Sequence, residues 1–271
     1  MLKYEVPTTW YDNCYLDKAP VIPAARSFSI IDGNKKAVLL IHGYAGYPGE
    51  LVRPATDLAK VGFDCYIPRL PGMGTSCEDF QASSCKDYFT LLDNALTDLK
   101  ARYESVSLVG HSMGTLLAVI FAKKYQINNV VLASPAFKFK GVTLFELKAL
   151  AKVSPVIKKS WKSDPRFVMY YENAPQDDEA LGKEYWSYLY VNKLIETLEL
   201  AEKAKKVAKE LTSNLLILTA QKDDLVDTKV GKFFTCQYKA VMLTNATHFM
   251  FYDIDKQSEE KAVSETVSFL E

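Results

Sequence analysis

A serine, a histidine and a carboxylate lie in this chain at places where they could work together on an acyl group. Gly110-His111-Ser112-Met113-Gly114 sets a serine between two glycines, directly after the apolar run SVSLV and directly before a long apolar stretch. On composition alone such a pattern arises by chance in about one chain of this length in ten. Its setting carries more weight. Between a strand and a helix, small residues two before and two after the serine permit a tight turn that holds the Ser112 hydroxyl out as a nucleophile. The same turn aims the positive end of the following helix, with its free backbone N–H groups, at the place where an oxyanion would develop.

A serine hydroxyl needs a base, and the chain has three histidines, His42, His111 and His248. His111 adjoins Ser112 inside the turn, which should point its ring away, so it is read as a packing residue. His42 follows the run AVLLI in His42-Gly43-Tyr44-Ala45-Gly46. His248, in Asn245-Ala246-Thr247-His248, falls in a loop after the last apolar run, a natural edge-of-sheet position for a base. A neutral histidine needs a carboxylate to fix its tautomer and to stabilise the imidazolium formed in the reaction. Ala220-Gln221-Lys222-Asp223-Asp224-Leu225-Val226-Asp227 offers three acids. The first turn after the run NLLILT favours Asp223 over Asp224, and Asp227 is read as the N-cap of a following helix.

These residues must be carried by alternating strands and helices. Short Val, Ile and Leu runs recur at 28–31, 37–41, 63–67, 105–109, 129–133, 214–219 and 239–243, each bounded by turn residues, which predicts seven strands. The alternation with helical stretches predicts an α/β protein whose mostly parallel sheet is covered by helices on both faces. Asp32-Gly33 between the first two runs reads as the tight turn of a hairpin, so the sheet should open antiparallel. In 86–102 the residues Tyr88, Leu91, Leu92, Ala95, Leu96 and Leu99 mark one helix face, and 113–125 is apolar almost all round, as in a buried central helix. A closing helix is expected over 257–270. The stretch 137–211 breaks the rhythm. It contains many aromatics, among them Phe137, Phe139, Phe145, Trp161, Phe167, Tyr170, Tyr171, Tyr185, Trp186, Tyr188 and Tyr190, and a helical pattern near 193–211; it is read as a helical insertion between core segments 1–136 and 212–271.

At 271 residues the chain suits one large domain with an insertion. Lys plus Arg and Asp plus Glu both number 33, so no global field attracts nucleic acid or an anionic surface. Cys14, Cys65, Cys77, Cys85 and Cys236 are odd in number and widely spaced, which reads as free thiols in a reducing, cytoplasmic setting. The first residues carry Glu5, Asp12 and Asp17 and lack the apolar stretch of a signal peptide, and no run is long enough for a transmembrane segment. No His-Glu-x-x-His, Cys-x-x-Cys or P-loop is present, so neither metal nor cofactor is expected. The sequence leaves the oligomeric state unknown.

Taken together, IHGYAG (41–46), PRLPGMGTS (68–76), GHSMG, QKDDLVD and the closing THF resemble the α/β-hydrolase superfamily, and within it the bacterial carboxylesterases and the monoacylglycerol lipase or lysophospholipase-like serine hydrolases. The order Ser112, Asp223, His248 is that family's order. The resemblance implies an α/β-hydrolase fold with a helical lid at 137–211 and a Ser-His-Asp triad. It also implies an oxyanion hole from the backbone N–H groups of Tyr44 and Met113. In the family the acid precedes an aliphatic residue by three, which Asp223 with Val226 satisfies and Asp224 with Asp227 does not. HGYAG differs from the His-Gly-Gly-Gly of many lipases, and Met73 stands where relatives often carry His. The implied activity is hydrolysis of a neutral, short- to medium-chain small-molecule ester, with a thioesterase, lysophospholipase, peptidase or carbon–carbon bond hydrolase as alternatives and a catalytically silent binding protein as the reading from another class.

Overall fold

The structure, a computed structural model, describes residues 2–3, 6–10, 25–162, 179 and 181–271. Cys14 and the aromatics Phe167, Tyr170 and Tyr171 lie outside the described residues.

Eight strands form one sheet: β1 (Leu2–Lys3), β2 (Phe28–Ile30), β3 (Lys36–Ile41), β4 (Phe63–Ile67), β5 (Ser105–His111), β6 (Asn129–Ala133), β9 (Asn214–Ala220) and β10 (Tyr238–Leu243). Their order across the sheet is β1-β2-β4-β3-β5-β6-β9-β10. From β4 to β10 every pairing is parallel, while β1 on β2 and β2 on β4 are antiparallel. All seven expected strands are present. The expected hairpin is not, because β4 lies between β2 and β3: Cys65 pairs with Ile30 on one side and Val38 on the other. The Asp32-Gly33 turn does form, with Gly33 at φ 80°. The Asp64 carboxylate of β4 captures it, accepting the backbone N–H groups of Asp32 and Asn34 and the Asn34 side-chain amide. A side chain on the neighbouring strand thus overrides the local hairpin signal.

Along each central strand alternate residues enter two separate apolar clusters, Ala37, Leu39 and Ile41 on one face and Val38 and Leu40 on the other. The first face is covered by α3 (Cys85–Arg102) and α4 (Met113–Tyr125), and the buried residues of α3 are the six expected from its spacing. The second is covered by α1 (Val52–Lys60) and, after the short α2 (Cys77–Ala82) and the insertion, by the last helix (Lys256–Leu270). Burial on both faces is why the strands read as continuous apolar runs.

Within 137–211 lie α5 (Leu144–Ala151), β7 (Val156–Lys158), β8 (Tyr188–Tyr190) and α6 (Val191–Ala208); the closing helix is therefore α7. The antiparallel β7–β8 pair was not expected. Three-residue strands are too short to show a period of two. Leu200, Ala201, Ala204 and Ala208 of α6 join the cluster that contains α4.

Candidate active site

The site lies at the carboxyl ends of the central parallel strands. Ser112 follows β5 and caps α4 at φ 52° and ψ −119°, a left-handed backbone that a non-glycine residue adopts only under strain. The flanking glycines supply space. A Cβ at Gly110 would collide with the Gly114 carbonyl, and one at Gly114 with the carbonyl oxygens of Ile41 and His42. The end of β3 can therefore press against the first turn of α4. On the other side, a Cβ at Gly43 would sit 3.0 Å from that of Ser112, so the His42–Gly46 loop runs directly over the serine.

His248 reaches Ser112 from the loop after β10. Its Nε2 is 2.8 Å from Ser112 Oγ, and its Nδ1 is 2.8 Å from Asp223 Oδ2. All three side chains are buried. The second Asp223 oxygen accepts the N–H groups of Leu225 and Val226, each at 2.9 Å. Burial pushes the Asp223 carboxyl up, but the hydrogen bond and charge of His248 and those two N–H groups outweigh it and hold the carboxyl below its ordinary range. Lys140 Nζ donates to the Asp223 carbonyl at 2.6 Å, fixing the turn from outside. Asp224 is exposed. Asp227 caps no helix: its carboxylate accepts the Lys229 N–H in a local turn and lies 3.5 Å from Lys138 Nζ. No α-helix follows there among the described residues, because the chain bridges Val226 to Phe139 instead.

Met113 is the first residue of α4, so its N–H is one of the helix's four unpaired donors. Tyr44 follows Gly43 in the loop over Ser112, and its N–H finds no backbone acceptor among the described residues. His42, directly after β3, is fully buried and accepts the Leu70 N–H on Nε2 while its Nδ1 faces the Gly43 carbonyl. Burial lowers its pKa to about 4. The ring therefore stays neutral and ties the loop after β4 to the loop over Ser112.

His111 does more than pack. Its Nδ1 lies 3.0 Å from Glu50 Oε2 and its Nε2 3.0 Å from the His248 carbonyl oxygen. Glu50 also accepts the Gly43 N–H at 3.3 Å, and Ser134 Oγ donates to the same His248 carbonyl at 2.7 Å. Burial alone would lower the His111 pKa, but the hydrogen bond and charge of Glu50 raise it above its ordinary value. Neither Glu50 nor Ser134 was found from the sequence. Both sit outside any motif, and the signal that existed for Glu50 was weak: a lone carboxylate in a Gly-rich turn, GYPGEL, ahead of an amphipathic helix.

Beside the Tyr44 loop opens a cleft of about 310 Å³, lined by Tyr44, Trp186, Tyr188, Tyr190 and Leu194 with Lys159 and Lys162 at its side. Trp186 Nε1 donates to the Ala45 carbonyl at 2.9 Å, joining this wall to the loop over Ser112. No group of His, Cys, Asp or Glu among the described residues is arranged to hold a metal ion, and no described helix is long and apolar enough to cross a membrane.

A family model described as Hydrolase_4, serine aminopeptidase, S33, matches residues 32–253. The chain is 31% identical over 109 residues to a thermostable monoacylglycerol lipase of Bacillus sp. (strain H-257), a match covering 40% of this chain and 43% of the lipase. It is 27% identical over 210 residues to the phospholipase YtpA of Bacillus subtilis (strain 168), covering 73% of this chain and 80% of that protein. It thus aligns with less than half of the first relative and most of the second. A structure from the pair LipS and LipT, two metagenome-derived lipolytic enzymes, superposes with a TM-score of 0.76 at 20% identity over 93% of this chain and 99% of that chain, a likeness of fold.

Proposed function

The chain belongs to the Hydrolase_4 family and has the α/β-hydrolase fold, and from that premise we propose that it is a serine hydrolase of neutral, short- to medium-chain acyl esters. The observation that carries the reading is the line Ser112 Oγ, His248 ring, Asp223 carboxylate, with 2.8 Å at each step. In the proposed reaction Ser112 Oγ bonds to the acyl carbon as its proton passes to His248 Nε2. The carbonyl oxygen becomes an oxyanion against the N–H groups of Tyr44 and Met113. His248 then returns the proton to the leaving alcohol, and the acyl group stays on Ser112. Water repeats the sequence, with His248 again taking and returning a proton, to free the acid. Asp223 holds the His248 tautomer and balances the imidazolium.

The substrate class rests on the cleft beside Tyr44 and on the relatives named as lipase and phospholipase. Aromatic and aliphatic walls favour an acyl chain by about 25 cal/mol per Å² of apolar surface buried. Residues 137–211 supply most of that wall and serve in this reading as the lid. An aminopeptidase would need an anion for the substrate's free amine, whereas the charged residues lining the cleft among the described residues are lysines.

Replacing Ser112 by Ala should abolish turnover of p-nitrophenyl butyrate and labelling by a fluorophosphonate; unchanged turnover overturns the reading. A panel from p-nitrophenyl acetate to palmitate, with monoacylglycerols, a lysophospholipid, acyl thioesters and amino-acid anilides, should give the highest kcat/KM for neutral esters. A preference of about tenfold for another class, ~1.4 kcal/mol at the transition state, would move the substrate class and leave the triad in place.

A further inference from the structure

Glu50 and His111 form a buried pair that the proposed reaction does not use, and each reaches a different half of the site. The Glu50 carboxylate accepts the N–H of Gly43, the residue before Tyr44 in the loop over Ser112. His111 spans the distance from that carboxylate to the backbone carbonyl of His248, 3.0 Å at each end. A carbonyl only accepts, so Nε2 must donate to it, and an ionised Glu50 takes the proton on Nδ1. A ring with acceptors at both nitrogens is an imidazolium. The pair is then Glu50 carboxylate with His111 cation, both side chains less than a tenth exposed. Other ionisable groups facing it are His42 after β3, which stays neutral, Asp223 after β9, and His248 and Tyr252 after β10, whose rings lie 5.5 and 6.0 Å from that of His111. The rings of Phe251 and Tyr252 close it from water on the side of the last loop. Gly46 completes the fit, since a Cβ there would collide with the Glu50 carboxylate.

We propose that Glu50 and His111 are positioning residues, a charged strut that sets the backbone of the oxyanion loop at Gly43 and the backbone of the general base at His248 in one register across Ser112. The proposal rests on the serine-hydrolase reading above. The strut is intact only while His111 is protonated. As pH rises through the raised His111 value the ring loses one of its two protons, and with it either the bond to Glu50 or the bond to the His248 carbonyl, so the strut parts at one end, the loops loosen, and kcat falls. Substrate binding in the aromatic cleft does not involve the pair.

The test compares wild-type protein with Glu50→Gln, His111→Gln and the double variant Glu50→Met/His111→Phe, which removes both charges at similar volume and so spares the fold an unpaired buried ion. With p-nitrophenyl butyrate, kcat should fall about tenfold or more in all three while KM changes less than about twofold. The alkaline limb of the kcat profile should be present in wild type and absent from the double variant. A double variant that keeps the wild-type melting temperature yet stays slow supports positioning. One that recovers wild-type kcat overturns it and leaves the pair a purely structural contact. Nitrogen-15 spectra of the wild-type histidines need no variant to fold: one ring other than His42 and His248 should hold both protons at neutral pH, and three neutral rings overturn the proposal. Failure of the underlying reading is distinguishable, because it would appear as turnover surviving Ser112→Ala.

Discussion

His42 shows how one side chain makes the molecule sensitive to acid. Both ring nitrogens are engaged in the neutral form, one facing the Gly43 carbonyl and one accepting from Leu70. The unfolded chain protonates this ring at its ordinary value near 6.5, but the folded chain resists until about 4. The folded pKa is depressed, so protons bind the unfolded state first and stability is lost as pH falls through that window. The amount is roughly 3 kcal/mol by pH 4. His42→Gln, which can keep both hydrogen bonds, should flatten the slope of unfolding free energy between pH 4 and 6.5 in urea melts. A slope equal to that of wild type would show that another group carries the acid response. The acid turn allows a second comparison. Asp223→Asn should lower kcat by about three to four orders of magnitude through the wrong His248 tautomer, whereas Asp224→Asn, altering an exposed side chain, should leave it within about threefold. Single residues were legible where chemistry restricts the choice: three histidines and one acidic turn left few combinations, and the one in best register is the set brought to 2.8 Å. Glu50 was not legible, because a buried carboxylate is recognised by its partners and those lie 7 and 61 residues away.

The elements depend on close approach of backbone more than on any one contact. Gly114 lets the first turn of α4 lie against the end of β3, where the chain enters the loop that carries Tyr44. Gly114→Ala must displace one of the two backbones. We expect a loss of about 2 kcal/mol or more and a fall in kcat larger than the fall in stability would explain, measured as urea midpoint against initial rate in the folded baseline. Unaltered kcat would mean that the helix start can shift without consequence for the site. Elements of uniform burial were plain in the sequence, since β3, β5, β6 and β9 are apolar on both faces and α3 shows a clean stripe. Partnerships between them were less plain. Asp32-Gly33 announced a turn correctly but could not announce that Asp64 of β4 would seize it, and β7 with β8 was too brief to register at all.

At the scale of the molecule the chain reads as one sheet with helices on both sides, and 137–211 is not uniformly peripheral. Leu200 of α6 is buried in the cluster that holds α4, so Leu200→Ala should cost about 2–5 kcal/mol of global stability. A shift confined to activity, with the urea midpoint unmoved, would assign α6 to a separately opening cap. The left-handed backbone at Ser112 has a consequence for the whole fold as well. A serine held there costs about 1–3 kcal/mol that a glycine would not. Ser112→Gly should therefore melt at a higher temperature than wild type while lacking the hydroxyl that the proposed reaction needs. A library of random variants sorted only for heat resistance would then drift toward glycine at this position, so directed evolution for robustness has to carry an activity screen at every round or it will select the reaction out of the protein.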